Sequence, residues 1–179
     1  MTTSLASSIA LENVQAAPCP AATVTAVLDT NVALDLLLFL DQRVQALQQA
    51  LTGQSLRWIA TEPMLDELSR VLRRAALAHW GHDSDQVMAE ARRLCQGVAG
   101  CAETDSRVPH CTDPDDQMFI DLAWRWPAKL LFSRDRAVLR LARPARAQGL
   151  WIGTPERWPA TGPGQQPGQQ EQRRPKPPL

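Results

Sequence analysis

The chain has no excess of charge of either sign. Nineteen lysines and arginines balance nineteen aspartates and glutamates, so no global positive field advertises nucleic acid, and any contact with phosphate must come from a local patch. Long apolar runs are missing too. The stretch from Val32 to Leu40 is interrupted by Asp35 and stops at Asp41, well short of the roughly 18 residues that a membrane span needs. The start of the chain lacks a basic segment followed by an apolar one, and Glu12, Asn13 and Gln15 break what apolar character it has. Secretion is therefore not expected and a cytoplasmic location is. Cys19, Cys95, Cys101 and Cys111 form no C-x-x-C pair and have no histidine at zinc spacing, which leaves reduced, mostly buried thiols. His79 and His82 find no further ligand motif and read as a pair at a helix end. No internal repeat is present. What remains is a chain of 179 residues, 44% hydrophobic, sufficient for the core of one domain.

Both ends are poor in core-forming residues. Residues 1–22 are small and polar with Pro18 and Pro20, and residues 159–179 form a Pro/Gln/Gly tract containing Arg173, Arg174 and Lys176. Each is expected to be disordered. Between them, residues 23–158 alternate strand and helix signals. Val24 to Leu28 reads as a strand, followed by the polar turn Asp29-Thr30-Asn31 and an apolar segment of helical length, Val32 to Ala50. Arg57 to Ala60 is a second strand. Thr61 is placed to cap a helix with Pro63 in its first turn, running to about Trp80. Asp85 to Gln96 is helical, and Val98 to Ala102 is either a short strand or the end of that helix. Asp113-Pro114 is a helix start, with an acceptor at the cap and proline at the first position, and the helix continues through Trp126 to Pro127. Lys129 to Phe132 is a strand, Arg134 to Leu141 a helix, and Trp151-Ile152 a closing strand. This alternation predicts a parallel sheet covered on both faces.

In such a sheet the ligand site lies beyond the carboxyl ends of the strands, so acids just after strands carry the most weight. Asp29 follows the first strand and Asp135 follows the strand ending at Phe132. On the helix after the second strand, Met64, Leu68, Val71, Leu72 and Ala75 recur at helical spacing; Glu67 falls at the edge of that stripe, while Asp66 points away from it into solvent. Asp116 lies in the first turn of the helix begun at Pro114. Spacing alone does not choose between Asp115 and Asp116 there, and Asp113 reads as a cap. Four carboxylates converging on one crevice repel one another unless a cation neutralises them. An all-oxygen donor set favours Mg²⁺ or Mn²⁺, whose natural use is phosphodiester chemistry.

Four segments then stand out together: Val27-Leu28-Asp29-Thr30-Asn31, Glu62-Pro63-Met64-Leu65-Asp66-Glu67-Leu68, Asp113-Pro114-Asp115-Asp116-Gln117-Met118-Phe119, and Leu131-Phe132-Ser133-Arg134-Asp135. In order and spacing they resemble the PIN domain over about residues 24 to 155, especially the subgroup of toxins from toxin–antitoxin pairs related to VapC-type ribonucleases. The resemblance implies a three-layer α/β/α fold with a central parallel sheet of about four to five strands. It also implies metal-dependent endoribonuclease activity on RNA, frequent homodimers and a cognate antitoxin. It maps the family's acids onto Asp29, Glu67, Asp116 and Asp135. Asp116 is preferred to Asp115 because the family's acid precedes an apolar pair and an alanine, matched by Phe119-Ile120 and Ala123. Asn31 and Ser133 match positions that support the acids by hydrogen bonding. The long N-terminal segment and the Pro/Gln tail depart from the compact toxin pattern.

Two other readings compete. A phosphatase with an aspartyl nucleophile needs a second carboxylate two residues after Asp29, where Asn31 stands. A PIN-fold module that binds RNA or protein without turnover is the alternative; Arg43, Arg57, Arg70, Arg73, Arg74, Arg92, Arg93, Arg134 and Arg136 would supply its phosphate contacts. Trp58, Trp124 and Trp126 are expected in the core or an interface rather than as stacking platforms.

Overall fold

A computed structural model describes residues 23–74, 77, 81–100, 107–126 and 128–158. The two terminal segments, Cys19, Cys101, His79 and Trp80 lie outside the described residues. Five strands form one parallel sheet: β1 (Val24–Leu28), β2 (Leu56–Ala60), β3 (Cys95–Gly97), β4 (Leu130–Phe132) and β5 (Trp151–Gly153), in the order β3-β2-β1-β4-β5. The helices are α1 (Thr30–Leu37), α2 (Gln45–Thr52), α3 (Glu62–Leu72), α4 (Ser84–Leu94), α5 (Gln117–Arg125), α6 (Arg136–Leu139) and α7 (Ala142–Arg146). The expected three-layer α/β/α architecture is what forms.

Burial explains the pattern. Ala26, Val27 and Leu28 of β1, and Leu131 and Phe132 of β4, are essentially inaccessible on both faces, as central strands of a parallel sheet sandwiched by helices must be. Phe132 is met edge-on by Trp151 and Trp158, each with ring centroids at 5.5 Å. Together with its full burial this makes it worth about 3 kcal/mol to the fold. Trp58 is buried as expected, whereas Trp126 is 44% exposed.

Register sets up the functional edge. Leu28 lies opposite Phe132, and Phe132 opposite Gly153, so the residues that leave these strands, Asp29, Ser133 and Thr154, emerge side by side. The chain runs from β1 outward through β2 to β3, then returns to the other side of β1 for β4 and β5. The crevice between β1 and β4 is thus the topological switch point, where an open α/β sheet binds its ligands. Both edge strands, β3 and β5, are three residues long.

Several boundaries differ from expectation for identifiable reasons. The apolar segment 32–50 is not one helix. It breaks after Leu37, Leu40 takes a left-handed φ of 49°, and Asp41 caps a short 3₁₀ turn before α2. Helix α3 ends at Leu72, where its last carbonyl lies 3.1 Å from His82 Nε2, so His82 closes a helix end. β3 starts at Cys95, immediately after α4 and before the expected Val98, because its pairing with Trp58 to Ala60 takes the chain over at once. Helix α5 starts at Gln117 instead of Pro114: the Asp113 carboxylate accepts from the Asp115 N–H at 3.0 Å and closes a turn in place of a helix cap. Cys95 and Cys111 are free thiols, but half-buried rather than fully enclosed.

Candidate active site at the carboxyl edge of the sheet

Asp29 has a double duty. Its extended backbone (φ −73°, ψ 168°) turns the chain from β1 into α1, and its Oδ1 accepts from the Val32 N–H at 2.7 Å, capping the helix. Its Oδ2 accepts from the Arg134 N–H at 3.1 Å, and the Ser133 hydroxyl donates to the same carboxylate. The residue is 2% exposed. Burial pushes its pKa up, the three donors pull it down, and the nearby Asp135 adds to the rise; the net direction is upward.

Ser133, fully buried, joins two acids. Besides donating to Asp29 it accepts from the Asp135 N–H at 3.0 Å. Asp135 caps α6 in turn, its Oδ1 accepting from the Ala137 N–H at 2.5 Å. Asp116 is different. It stands just before α5 with backbone dihedrals of −84° and −11°, and its carboxylate makes no cap hydrogen bond. Its pKa is pushed up to about 6, first by burial and then by the charges of Asp135, Asp113, Asp29 and Asp115. These right-handed dihedrals, in place of the extended ones of a capping residue, leave the carboxylate uncommitted.

Glu67 sits at the rim of the α3 stripe, partly buried, while Asp66 is exposed, as the spacing implied. Its carboxylate is engaged by Arg70, three residues on, and lies 4.0 Å from Arg74. The charges that act most on Asp116 are those of Asp135, Asp113, Asp29 and Asp115. The structure thus brings Asp29, Asp116 and Asp135 into one electrostatic neighbourhood and keeps Glu67 on Arg70 of its own helix and Arg74 just beyond it. Asn31 is exposed in the first turn of α1, and among the described residues no hydrogen bond joins it to an acid.

Two residues outside the candidate set organise this edge. The Gln117 side-chain amide accepts from the Cys111 N–H at 2.7 Å and donates to the Pro109 carbonyl at 3.2 Å and to Asp121 at 2.8 Å, tying the acidic loop to α5. Arg134 binds Asp35 of α1 through Nε and Glu156, beyond β5, through Nη1 at 2.6 Å. It thereby fixes the turn that carries Ser133 and Asp135. The role of Arg134 rests on Asp35, far away in the sequence, which no local signal marks, whereas the partners of Gln117 all lie close to it along the chain.

Among the described residues no three histidine, cysteine or acidic side chains are arranged as a closed metal site. The donor chemistry nevertheless suits a hard cation. The three acids that share the crevice offer only oxygen, and Asp116 is held among like charges with its carboxylate unspent. A divalent ion would supply the missing positive charge. The family model described as PIN domain matches residues 25–137, and no curated protein matches the chain. That match takes in all four acids and more than half of the sequence: the chain belongs to the PIN-domain family.

Proposed function

We propose that the protein is a Mg²⁺- or Mn²⁺-dependent endoribonuclease that hydrolyses RNA phosphodiester bonds at the edge formed by Asp29, Glu67, Asp116 and Asp135. The observation that carries this reading is the uncapped carboxylate of Asp116, raised to about 6 beside Asp135 and Asp29. Perturbed acids gathered at a switch point are the mark of a site that works with a cation or a proton.

Asp29, Asp116 and Asp135 would hold the ion, with Glu67 joining them on leaving Arg70. When bound, the ion polarises a phosphate oxygen and lowers the pKa of the attacking water. The chain's own part is orientation. Ser133 holds Asp29 and Asp135 in fixed relation, the start of α1 holds Asp29 by its cap, and Gln117 anchors the loop before Asp116. Asn31 and Ser133 are proposed as the supporting polar residues. The finer expectations of a toxin with an antitoxin partner and a homodimer have their support in the four motif segments alone, and a cytoplasmic setting is proposed from the sequence pattern. No helix among the described residues is long and apolar enough to cross a membrane.

One observation favours the alternative of a non-catalytic RNA- or protein-binding module: Glu67 is spent on Arg70 and Arg74. The test is cleavage of a mixed panel of labelled RNA and single-stranded DNA with Mg²⁺, Mn²⁺ or EDTA, for the natural chain and Asp116→Asn. Metal-dependent RNA cutting that the variant lacks is expected. Binding without cutting under either metal would move the conclusion to the non-catalytic module.

A further inference from the structure

The bases and acids are not mixed evenly along the chain. Between Leu122 and Leu150 stand Arg125, Lys129, Arg134, Arg136, Arg140, Arg143 and Arg146 against the single acid Asp135. Arg134 is taken up by Asp35 and Glu156. Arg125, Lys129, Arg136, Arg140 and Arg143 make no ion pair among the described residues.

Arg136, Arg140, Arg143 and Arg146 follow at intervals of four, three and three residues. Arg140 and Leu141 keep right-handed dihedrals between α6 and α7, so this spacing sets the four on one face. Val138 and Ala145, on the opposite face, are fully buried, and all four arginines are exposed. The stripe starts beside Asp135 at the carboxyl edge and ends where the chain turns back into β5 at the amino edge. There a cleft of about 160 Å³ is lined by Arg107, Trp124, Lys129 and Gln148, among others. Trp126, 44% exposed, stands two residues beyond Trp124. The cleft is too small for a cofactor-sized ligand, but the ring of Trp124 lines it.

We infer that this stripe and cleft hold a single-stranded stretch of RNA away from the bond that is cut, with phosphates on Arg136, Arg140, Arg143 and Lys129 and a base stacked on Trp126. Regularly spaced cations on a segment that leads to the cleft beside Trp124, with the exposed indole of Trp126 two residues on, match a phosphate backbone that carries flat bases. The inference rests on the RNA-cleaving reading, and it names where the substrate runs beyond the acids.

The test is binding rather than cutting. The full chain carrying Asp116→Asn is titrated in EDTA with a fluorescent single-stranded RNA of mixed sequence at several salt concentrations, followed by anisotropy. Adding Arg140→Gln with Arg143→Gln is expected to weaken binding about tenfold and to flatten the log–log salt slope by about 1.4, at ~0.7 per single-strand phosphate contact. Adding Trp126→Ala is expected to weaken it about tenfold with the slope unchanged. Arg92→Gln with Arg93→Gln, on α4, is the control and stays within about twofold of the parent. Unchanged affinity in the stripe variants, equal loss in the control, or loss of binding to polyglutamate alone, the sign of an acidic protein partner, would overturn the inference. RNA held by the stripe in a natural chain that never cuts would leave the stripe standing and remove the nuclease reading. Cutting with stripe variants that bind normally would do the reverse.

Discussion

The two flanks of the sheet treat charge in opposite ways. On the β2–β3 side, arginines on and just after α3 and on α4 are matched to acids: Arg92 to Glu62, Arg93 to Glu90, Arg70 and Arg74 to Glu67, and Arg73 to Asp85. On the β4–β5 side, the acids at the carboxyl edge face one another, and the bases that follow Asp135 have almost no acid within their segment. A formal net charge of zero is the sum of one region that neutralises itself and another in which opposite charges are kept apart. The arginines proposed from sequence as phosphate contacts fall largely in the neutralised region, and only Arg57 and Arg136 of that set make no ion pair among the described residues.

Substitutions on the two flanks sharpen that contrast, and the largest effect is expected at Asp116. Asp116→Asn should lower RNA cutting by at least about 100-fold, since losing a proposed ligand costs no less than losing a residue that orients one. It should leave the circular dichroism spectrum unchanged. Retained activity would remove Asp116 from the site.

Ser133→Ala comes next. It removes the hydroxyl between Asp29 and Asp135 and is expected to cost roughly 10- to 100-fold in activity, with a rise in the metal concentration needed for half-maximal rate. An unchanged metal requirement would show that the hydroxyl does not orient the acids.

Arg134→Ala breaks the most enclosed ion-pair cluster among the described residues, leaving Asp35, 13% exposed in its side chain, without its cation. A loss of about 2 kcal/mol is expected in urea unfolding. Arg92→Gln, which breaks an exposed pair, should change stability by less than about 0.5 kcal/mol. Equal losses at the two positions would erase the difference between the flanks.

A smaller effect than that of Arg134→Ala is expected in pH. The pKa of Asp116 is higher folded, at about 6, than its ordinary 3.8, so the native state holds that proton more tightly than the unfolded chain. The resulting stability is complete below pH ~4 and is lost as pH rises through about 6. Asp29 is shifted in the same direction. In EDTA, thermal unfolding should show the protein losing on the order of 1 kcal/mol between pH 4 and pH 7 from Asp116, after allowance for solvent screening. The Asp116→Asn variant should lose less. A steeper loss in the variant would contradict the crowding of acids.

Much of this was legible in the sequence because it depends on local pattern. A β-branched run followed by Asp29 predicts a strand and a capped helix, and the stripe of Met64, Leu68 and Leu72 separates Glu67 from Asp66. Tertiary choices were not legible. Nothing in the sequence near Leu40 marks a helix break, since neither glycine nor proline stands there. Asp113 satisfies the local chemistry of a helix cap and of a turn alike, and only the packed loop, held by Gln117, selects the turn. The tie of Glu67 to Arg70 is a local pair that helical spacing allows, but the motif does not carry it: the motif records which residue stands on the helix and not which partner holds it.

The three-residue edge strands carry a consequence for assembly. A long exposed edge offers a row of unpaired backbone groups on which another chain can add a strand. β3 and β5 offer only a fragment of such a row, too little to template strand addition. A second copy of the chain, or any protein partner, therefore has to recognise helices and side chains, and extending the sheet from one molecule into the next is closed to it.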